Sequence, residues 1–446
     1  MQVTETSAAG LKREYKVVVP ATDLEAKVQA RLDDLKGRVQ LRGFRPGKVP
    51  VAHLKRIYGK SAMAEVIESA VREANDKIVS DHGFKLATEP KVVLPTEEGA
   101  VDGVIEGKTD LAYTVEMEIV PPIALTDFKT LKLERLTAEV SDAEVDDALQ
   151  ALADQNRPYN AKDGAAEKDD RVTISFQGTI DGKPFDGGSA EDVPVLLGSG
   201  RFLPGFEENL IGAKAGESRT FDIKFPDEYP ATAIAGKTAQ FAVTVKTVEA
   251  PGTVTLDDDF AKTLGLESLG KLRDAIRDRI QREHAAASRQ KVKRALLDQL
   301  DERHKFEPPP SLVEQEFNNV WSAIESDLKQ QGRTFADEGT TEEKARADYR
   351  AIAERRVRLG LVIAEIGEKN NITVTEEQLR AAVMEQVRQM PGREQQVYDY
   401  YRNNPGALAS LRAPLFEDKV VDFVLELAEV TDKPVSRDEL FKEDAE

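Results

Sequence analysis

A change of pattern in the middle of the sequence constrains the fold more than any other feature. Between Asp169 and Glu249 short apolar runs alternate with turns rich in glycine, proline and phenylalanine, among them RVTISFQGTI, SRTFDIKF and AQFAVTVKTV. Such runs are typical of antiparallel strands, whereas the regions on either side repeat apolar residues at helical spacing. The pattern therefore predicts a small β module, of a size that folds alone, between two regions of different architecture.

The length of the chain indicates more than one domain. With 446 residues it exceeds what a single hydrophobic core supports. We predict a multidomain α+β protein with an N-terminal α+β domain, an antiparallel β domain with a short helix, and a long all-α C-terminal region. The predicted boundaries are residues 1–115, a linker and helix at 116–158, the β domain at 159–249 and the helical region at 250–446.

Local signals predict where individual helices begin. Ser141 followed by Glu144 is a capping-box signature for an amphipathic helix, and Thr22 followed by Glu25 predicts the start of another. Pro50 suits the first turn of a short helix, and a separate, longer helix is predicted to follow it. In the C-terminal region we predict helices at 257–305, 311–331, 342–370 and 375–390.

The composition excludes several kinds of chemistry. The chain has no cysteine, which rules out disulfides, thiolate nucleophiles and cysteine-ligated zinc. It contains neither a G-x-x-x-x-G-K-[ST] phosphate loop nor a G-x-S-x-G nucleophile elbow, and no two of its four histidines have the spacing of a metal pair on one helix face. We therefore expect no cofactor, no metal ion and no nucleotide.

The N-terminal residues also bear on location. MQVTETSAAGLKREYKVVVP lacks the basic and apolar pattern of an export signal, and nowhere do eighteen apolar residues follow one another. We therefore expect a cytoplasmic protein without a membrane partner.

One stretch of the sequence opposes the overall charge. The chain has a formal net charge of −19, yet residues 36–60, KGRVQLRGFRPGKVPVAHLKRIYGK, contain eight lysines and arginines and no acidic residue. A basic tip on an acidic protein would orient it toward a polyanion, with Phe44 as an apolar or stacking anchor. Charge alone leaves open a solubilising surface loop with a buried phenylalanine.

The β module as a whole resembles the FKBP-type peptidyl-prolyl isomerases. The resemblance is carried by VTISFQGTIDGKPFDGG, VPVLLGSGRFLPGFEENLIGAKAGE, FPDEYP and AQFAVTVKTVE, in this order. Prolyl isomerisation needs no nucleophile, because its barrier of about 18–20 kcal/mol comes from amide resonance, and an apolar pocket lowers it by preferring the twisted amide. The pocket residues that the resemblance implies are Phe176, Phe185, Asp186, Val195, Phe202, Leu203, Phe206, Tyr229 and Phe241.

Three positions depart from the pattern of the best-known FKBP relatives. Phe206 stands where they have tryptophan at the pocket floor, and Phe176 where they have tyrosine. The missing tyrosine hydroxyl removes a hydrogen-bond partner of Asp186, which leaves that carboxylate with two alternative roles, orienting the substrate or fixing a loop. Val193 replaces an aromatic residue and weakens one wall.

The basic stretch and the order of domains resemble the bacterial trigger factor family. Its ribosome-docking signature G-F-R-x-G-x-x-P precedes an FKBP-like module and a long helical region here. The resemblance implies a chaperone whose helix before the isomerase packs with the C-terminal helices. The docking residues that it implies are Arg42, Gly43, Phe44, Arg45, Gly47, Lys48 and Pro50. Pro46 departs from the lysine common in relatives and removes one charge from the tip.

This resemblance also implies partners and leaves alternatives. The implied partners are the large ribosomal subunit, through a tunnel-exit protein and nearby RNA, nascent and unfolded polypeptides, and a second copy of the chain off the ribosome. An isomerase that its other domains merely target to clients is one alternative. An RNA-binding protein is another, which the acidic remainder of the chain disfavours.

Overall fold

A computed structural model describes residues 1–38, 44, 49–94, 100–226, 229 and 234–442. Internal contacts divide the chain into two units. The first comprises Met1–Leu133 with Lys293–Val430, and the second comprises Glu134–Val292 with Thr431–Glu446. Each unit is therefore built from segments that are far apart in sequence.

The described residues form eleven strands, twelve helices and two short 3-10 turns. The strands are β1 (Gln2–Ala9), β2 (Lys12–Val19), β3 (Lys91–Val93), β4 (Leu111–Glu118), β5 (Lys132–Thr137), β6 (Tyr159–Ala161), β7 (Arg171–Ile180), β8 (Lys183–Leu196), β9 (Ser218–Lys224), β10 (Thr238–Pro251) and β11 (Glu429–Pro434). The helices are α1 (Ala21–Arg38), α2 (Val51–His82), α3 (Ala100–Ile105), α4 (Asp142–Gln155), α5 (Asp258–Thr263), α6 (Leu269–Arg303), α7 (Pro310–Gln331), α8 (Glu342–Lys369), α9 (Glu376–Arg388), α10 (Glu394–Asn403), α11 (Pro405–Leu427) and α12 (Arg437–Leu440). Short 3-10 turns lie at Phe128–Thr130 and Glu208–Leu210.

The N-terminal domain is an antiparallel sheet covered by two helices. Its strand order is β1-β2-β4-β3. Alternation along β2 buries Tyr15, Val17 and Val19 on one face, as the period of two in a strand requires. Leu24 of α1 and Leu54 of α2 are fully buried in the same core, so both helices pack on this face of the sheet.

Helix α1 begins differently from the prediction. It starts at Ala21, so Thr22 lies inside the first turn and the capping box with Glu25 is wrong. The N–H of Ala21 instead donates to a carboxylate oxygen of Asp110 at 2.8 Å. Because a side chain 89 positions away supplies this cap, no local pattern indicates it.

Two further helix predictions have different outcomes. The capping box of α4 is confirmed, since Ser141 Oγ accepts from the Glu144 N–H at 3.2 Å and the Glu144 carboxylate accepts from the Ser141 N–H at 2.9 Å. The two helices expected after Pro50 form the single helix α2, which ends at Gly83 in the left-handed conformation. Gly59 is helical and does not end the helix.

The C-terminal region is helical except for one strand. α5 and α6 replace the predicted helix at 257–305, since Gly265 has a φ of +81° between them. Helices α7, α8 and α9 lie close to the predicted segments, and α10 and α11 continue to Leu427. The strand β11 then pairs with β5, so the otherwise helical region also contributes one strand to a two-stranded sheet.

Within the first unit, the N-terminal domain contacts the C-terminal helices through polar groups. The Lys85 ammonium lies 2.8 Å from the Glu365 carboxylate and 2.6 Å from that of Glu368 on α8. The Ser311 N–H at the start of α7 donates to Glu118 at 3.1 Å. These contacts join residues that are almost 200 or more positions apart in sequence.

The crossing of α8 and α11 allows a prediction about stability. A Cβ atom at Gly367 would lie 2.7 Å from Cε2 of Phe416, closer than packed carbon atoms approach. We expect Gly367→Ala to lower the free energy of unfolding by about 1–3 kcal/mol, because overpacking outweighs the helix propensity of alanine. Urea denaturation followed by circular dichroism measures this change.

The matched control lies on the same helix. Gly360 has nothing within 4 Å of its ideal Cβ position, so Gly360→Ala is expected to be neutral or to stabilise by up to about 1 kcal/mol. Adding Phe416→Leu to Gly367→Ala is expected to recover part of the lost stability. A Gly367→Ala protein as stable as the Gly360→Ala protein would contradict the close packing at this crossing.

Candidate functional site

The β module brings aromatic side chains together on an antiparallel sheet. Its strand order is β6-β10-β7-β8. The remaining strand, β9, also pairs with β10. Phe176 in β7 lies opposite Val243 of β10 and Ala190 of β8. Phe241 of β10 lies between Gly178 of β7 and Phe221 of β9.

Two glycines give these rings the space that they occupy. A Cβ atom at Gly178 would lie 2.7 Å from Cε1 of Phe241 and 3.0 Å from Cε1 of Phe185. A Cβ atom at Gly188 would lie 2.9–3.0 Å from the Phe185 ring. Because only glycine permits this approach, the glycines of FQGT and FDGG shape the aromatic cluster rather than only the turns.

The aromatic cluster surrounds an open cavity of about 450 Å³. Phe206 is only 2% exposed and lies in the interior part of the cavity wall. Its ring stacks on Phe202 at 5.2 Å between centroids, and meets Phe241 edge to face at 5.4 Å and Phe176 at 5.9 Å. The lining residues are Phe176, Phe185, Asp186, Gly187, Arg201, Phe202, Leu203, Pro204, Phe206, Phe225, Tyr229, Ile234 and Phe241.

Eight of the nine pocket residues expected from the sequence line this cavity. The exception is Val195, which is fully buried in β8 opposite Val172 and belongs to the core of the module. Val193 is partly buried against the same core. Five lining residues were not predicted, namely Gly187, Arg201, Pro204, Phe225 and Ile234.

Phe225 was detectable from the sequence. It belongs to the FPDEYP segment that carries part of the FKBP resemblance. In the structure its ring lies 5.8 Å from that of Phe185 and 4.9 Å from that of Tyr229, both edge to face. The preference of aromatic pairs for this geometry stabilises the wall formed by the three rings.

Two charged side chains border an otherwise apolar cavity. Asp186 and Arg201 both line it and are solvent-exposed. Within the described residues the Asp186 carboxylate has no hydrogen-bond or ion-pair partner, and Phe176 offers it no hydroxyl. An exposed carboxylate of this kind is free to meet a polar group of a bound peptide.

The predicted docking segment is described only in part. Arg42, Gly43, Arg45, Gly47 and Lys48, together with Pro46, lie outside the described residues. The Phe44 ring is 36% exposed and its centroid lies 5.0 Å from that of His53. Pro50 precedes α2, and its carbonyl accepts from the N–H groups of His53 and Leu54 at 3.0 and 3.2 Å.

The arrangement in the cavity suits recognition rather than covalent chemistry. Its walls are mainly phenylalanine, leucine, isoleucine and proline, and the described lining residues include no serine, threonine, cysteine, lysine or histidine. An aromatic cavity of this volume can enclose a small apolar ring and exclude water from the adjoining peptide bond.

Comparison with known proteins settles the family. A model of the bacterial trigger factor protein matches residues 1–152, and a model of the trigger factor C-terminus matches residues 268–426. A trigger factor from Azorhizobium caulinodans is 62% identical over 446 residues, covering 100% of this chain and 99% of the relative. This chain belongs to the trigger factor family. A trigger factor from Xanthobacter autotrophicus is also 62% identical, covering 100% of this chain and 98% of its own length.

The other comparisons concern the module and the fold. The model of FKBP-type peptidyl-prolyl cis-trans isomerases matches residues 162–246, the segment that forms the aromatic cavity. A solved structure of the trigger factor chaperone covers 96% of this chain and 99% of its own, with a TM-score of 0.56 at 18% identity, which shows a shared fold.

Membership of the trigger factor family establishes the general activity. Trigger factors are ribosome-associated chaperones with an FKBP-type peptidyl-prolyl isomerase domain, and this chain has both the chaperone and the isomerase parts. They bind the ribosome and unfolded nascent chains.

Across the described ranges, each helix is either too short or too polar to cross a bilayer.

Proposed function

We propose that the aromatic cavity of the β module is the prolyl-isomerase site of this trigger factor. The observation that carries the proposal is the meeting of eight predicted residues, distant in sequence, around one cavity of about 450 Å³. The proposed site residues are Phe176, Phe185, Asp186, Phe202, Leu203, Phe206, Tyr229 and Phe241. Val195 of β8 supports them from the core of the module.

In this proposal the site acts by binding the twisted amide more tightly than the planar one. Phe206 supports the proline ring from below, and Phe202 and Phe241 enclose it. Burial in an apolar wall disfavours the charge separation of the planar, resonant amide, so the barrier to rotation falls. The exposed carboxylate of Asp186 then orients the peptide at the cavity mouth.

We further propose a division of labour along the chain. Residues 1–115 bind the ribosome, 116–158 form a linker and a helix of the chaperone body, 159–249 isomerise prolyl bonds, and 250–446 cradle unfolded polypeptides. In support, Leu149 and Ala153 of α4 pack with Phe260 of α5 and Leu272 of α6. Exposed apolar side chains between the start of α8 and the end of α10 offer contacts to unfolded chains without nucleotide. They are Ile352 on α8, Met384 on α9, Met390 in the turn after α9, and Tyr398 and Tyr400 on α10.

The docking partner in this proposal is the large ribosomal subunit. The basic segment around Phe44 contacts a protein and nearby RNA at the tunnel exit, where nascent polypeptides emerge, and the exposed Phe44 ring is the apolar anchor. Off the ribosome the protein self-associates as a homodimer. A cytoplasmic protein, bound in part to ribosomes, fits this proposal.

Salt dependence tests the electrostatic part of the docking proposal. Residues 36–60 contain eight basic residues and no acidic one. When such residues contact phosphates they release the counterions bound there, so the affinity depends on the salt concentration. We expect the dissociation constant for ribosomes to rise at least about 10-fold between about 50 and 200 mM salt, measured by co-sedimentation. Isomerase activity on a free peptide, measured over the same range, serves as the control. An affinity that does not change with salt would refute phosphate contacts by this segment.

A further inference from the structure

One buried carboxylate holds the loop that carries Phe202 of the cavity. Glu207 follows Phe206 directly and is only 5% exposed. Its oxygen atoms accept five hydrogen bonds from consecutive residues of the loop 198–202. Oε2 accepts from the N–H groups of Gly198 (2.8 Å) and Gly200 (3.1 Å), and Oε1 accepts from the Ser199 hydroxyl (3.0 Å) and the N–H groups of Arg201 (3.1 Å) and Phe202 (3.3 Å).

The donors to Glu207 are all uncharged groups. Burial raises the pKa of this carboxyl, but the hydrogen bonds from Gly200, Phe202, Ser199 and Gly198 outweigh burial and hold the pKa below its ordinary value. The carboxylate is therefore ionised at neutral pH. Hydrogen bonds to an ionised acceptor are stronger than those between neutral groups, so the loop is fixed by a concentrated set of strong contacts.

The loop and the floor of the cavity are thereby joined through two adjacent residues. Phe206 supplies the floor, and Glu207 holds the N–H of Phe202, whose ring stacks on Phe206 with 20° between the planes. The same loop contributes Arg201 to the lining, and Leu203 and Pro204 follow it directly. Displacement of the loop would move several lining residues at once while the rest of the cavity stayed in place.

We propose that Glu207 is a positioning residue for prolyl isomerisation, whose buried carboxylate keeps the loop 198–202 and the Phe202 ring in place over the cavity floor. The inference rests on the proposed location of the isomerase site. Glu207 is not among the described residues that line the cavity. Neither its type nor its spacing in GFEENL distinguishes it from the next residue, Glu208, so the sequence alone did not indicate this role.

The isosteric amide cannot reproduce these contacts in either orientation. In the Glu207→Gln variant, an amide nitrogen at the Oε2 position faces the N–H groups of Gly198 and Gly200. In the flipped orientation the nitrogen faces the N–H groups of Arg201 and Phe202. At least two backbone donors lose their acceptor in both cases, which is costly because the acceptor is buried.

Isomerisation of an X-Pro peptide by the full-length Glu207→Gln variant tests the proposal. We expect kcat/KM to fall roughly 10- to 100-fold, since small misplacements of binding groups have effects of this size. Amide hydrogen exchange of residues 198–202 should become faster in the same protein. Suppression of aggregation of a proline-free client should match wild type. The control is Glu208→Gln, which makes the same change of charge at the exposed neighbour and should retain full activity.

A purely structural role would give a different set of results. The melting temperature of the module would fall, but kcat/KM measured well below it would stay within about twofold of wild type, and that outcome overturns the proposal. An equal loss in Glu208→Gln would also overturn it, because the effect would then be one of net charge. If Glu207→Gln does not fold, Ser199→Ala removes one donor to Oε1 and should give a smaller loss with the same faster exchange. Unchanged kcat/KM in a folded Ser199→Ala protein with faster exchange would refute the role.

A failure of this inference is distinguishable from a failure of the proposed site. If Phe202→Ala retains full isomerase activity, the site itself is misplaced. If Phe202→Ala is inactive while Glu207→Gln is fully active, only the role of Glu207 is wrong.

Discussion

Replacement of Phe202 by alanine is expected to lower kcat/KM for an X-Pro peptide by about 10- to 100-fold. The ring lines the cavity and stacks on Phe206 at 5.2 Å between centroids. Its loss opens one side of the cavity to water, which weakens the preference for the twisted amide. Because Phe202 is half-buried rather than part of the core, the module should stay folded. A peptide assay with a matched melting curve measures both quantities.

The control for this variant is Phe221→Ala. Phe221 is also half-buried and also meets the Phe206 ring, at 5.3 Å edge to face, but it does not line the cavity. Both variants therefore remove a phenyl ring that contacts Phe206, but only the ring of Phe202 also lines the cavity. Equal losses of kcat/KM in both would mean that the packing of Phe206, and not the cavity, controls the activity.

The Phe202→Ala variant also distinguishes two functions for the protein, a chaperone and an isomerase that is merely targeted to its clients. Suppression of aggregation of a proline-free client should be unchanged in Phe202→Ala, because the exposed apolar side chains of α8 to α10 are untouched. If the variant also loses this suppression, holding of unfolded chains depends on the isomerase site. The division of labour proposed for the chain would then be wrong.

The double replacement of Phe44 and Arg45 by alanine is expected to weaken ribosome binding by about 30- to 1,000-fold, and so to abolish co-sedimentation. An exposed aromatic anchor and an arginine are the residue types that carry most binding energy at interfaces, at about 2 kcal/mol or more each when central, and their losses are not additive. Phe44 is 36% exposed, so its removal leaves the core of the N-terminal domain intact. Prolyl isomerisation of a free peptide should remain at the wild-type rate.

A second exposed phenylalanine with a neighbouring arginine provides the control. Phe441 is 47% exposed, and the Arg437 guanidinium lies 5.8 Å from the centre of its ring. The variant with both residues changed to alanine makes the same change in side chains and charge at another place, and should pellet like wild type. Undiminished pelleting of Phe44→Ala, Arg45→Ala at both low and high salt would refute the docking role of the basic segment.

Local sequence signals were sufficient to predict much of the fold and of the candidate site. The alternation of apolar residues and the glycine-rich turns predicted the β module, and the resemblance of its motifs to FKBP-type isomerases implied eight members of the cavity. The capping box at Ser141 and Glu144 predicted the start of α4. Each of these signals consists of a few neighbouring residues or of a family pattern that is visible in the sequence.

The tertiary structure decided which side chains and backbone groups meet. Asp110 caps α1 at Ala21, and no local pattern gives the position of a carboxylate 89 residues away. Val195 and Val193 have the same apolar character, and Val195 lies in the core rather than at the cavity. Glu207 and Glu208 are identical in type and adjacent in sequence, yet only the loop folded back over Glu207 makes its carboxylate the acceptor of five hydrogen bonds. Side-chain type and spacing follow from the sequence, whereas the partner of a buried polar group depends on which part of the backbone the fold brings to it.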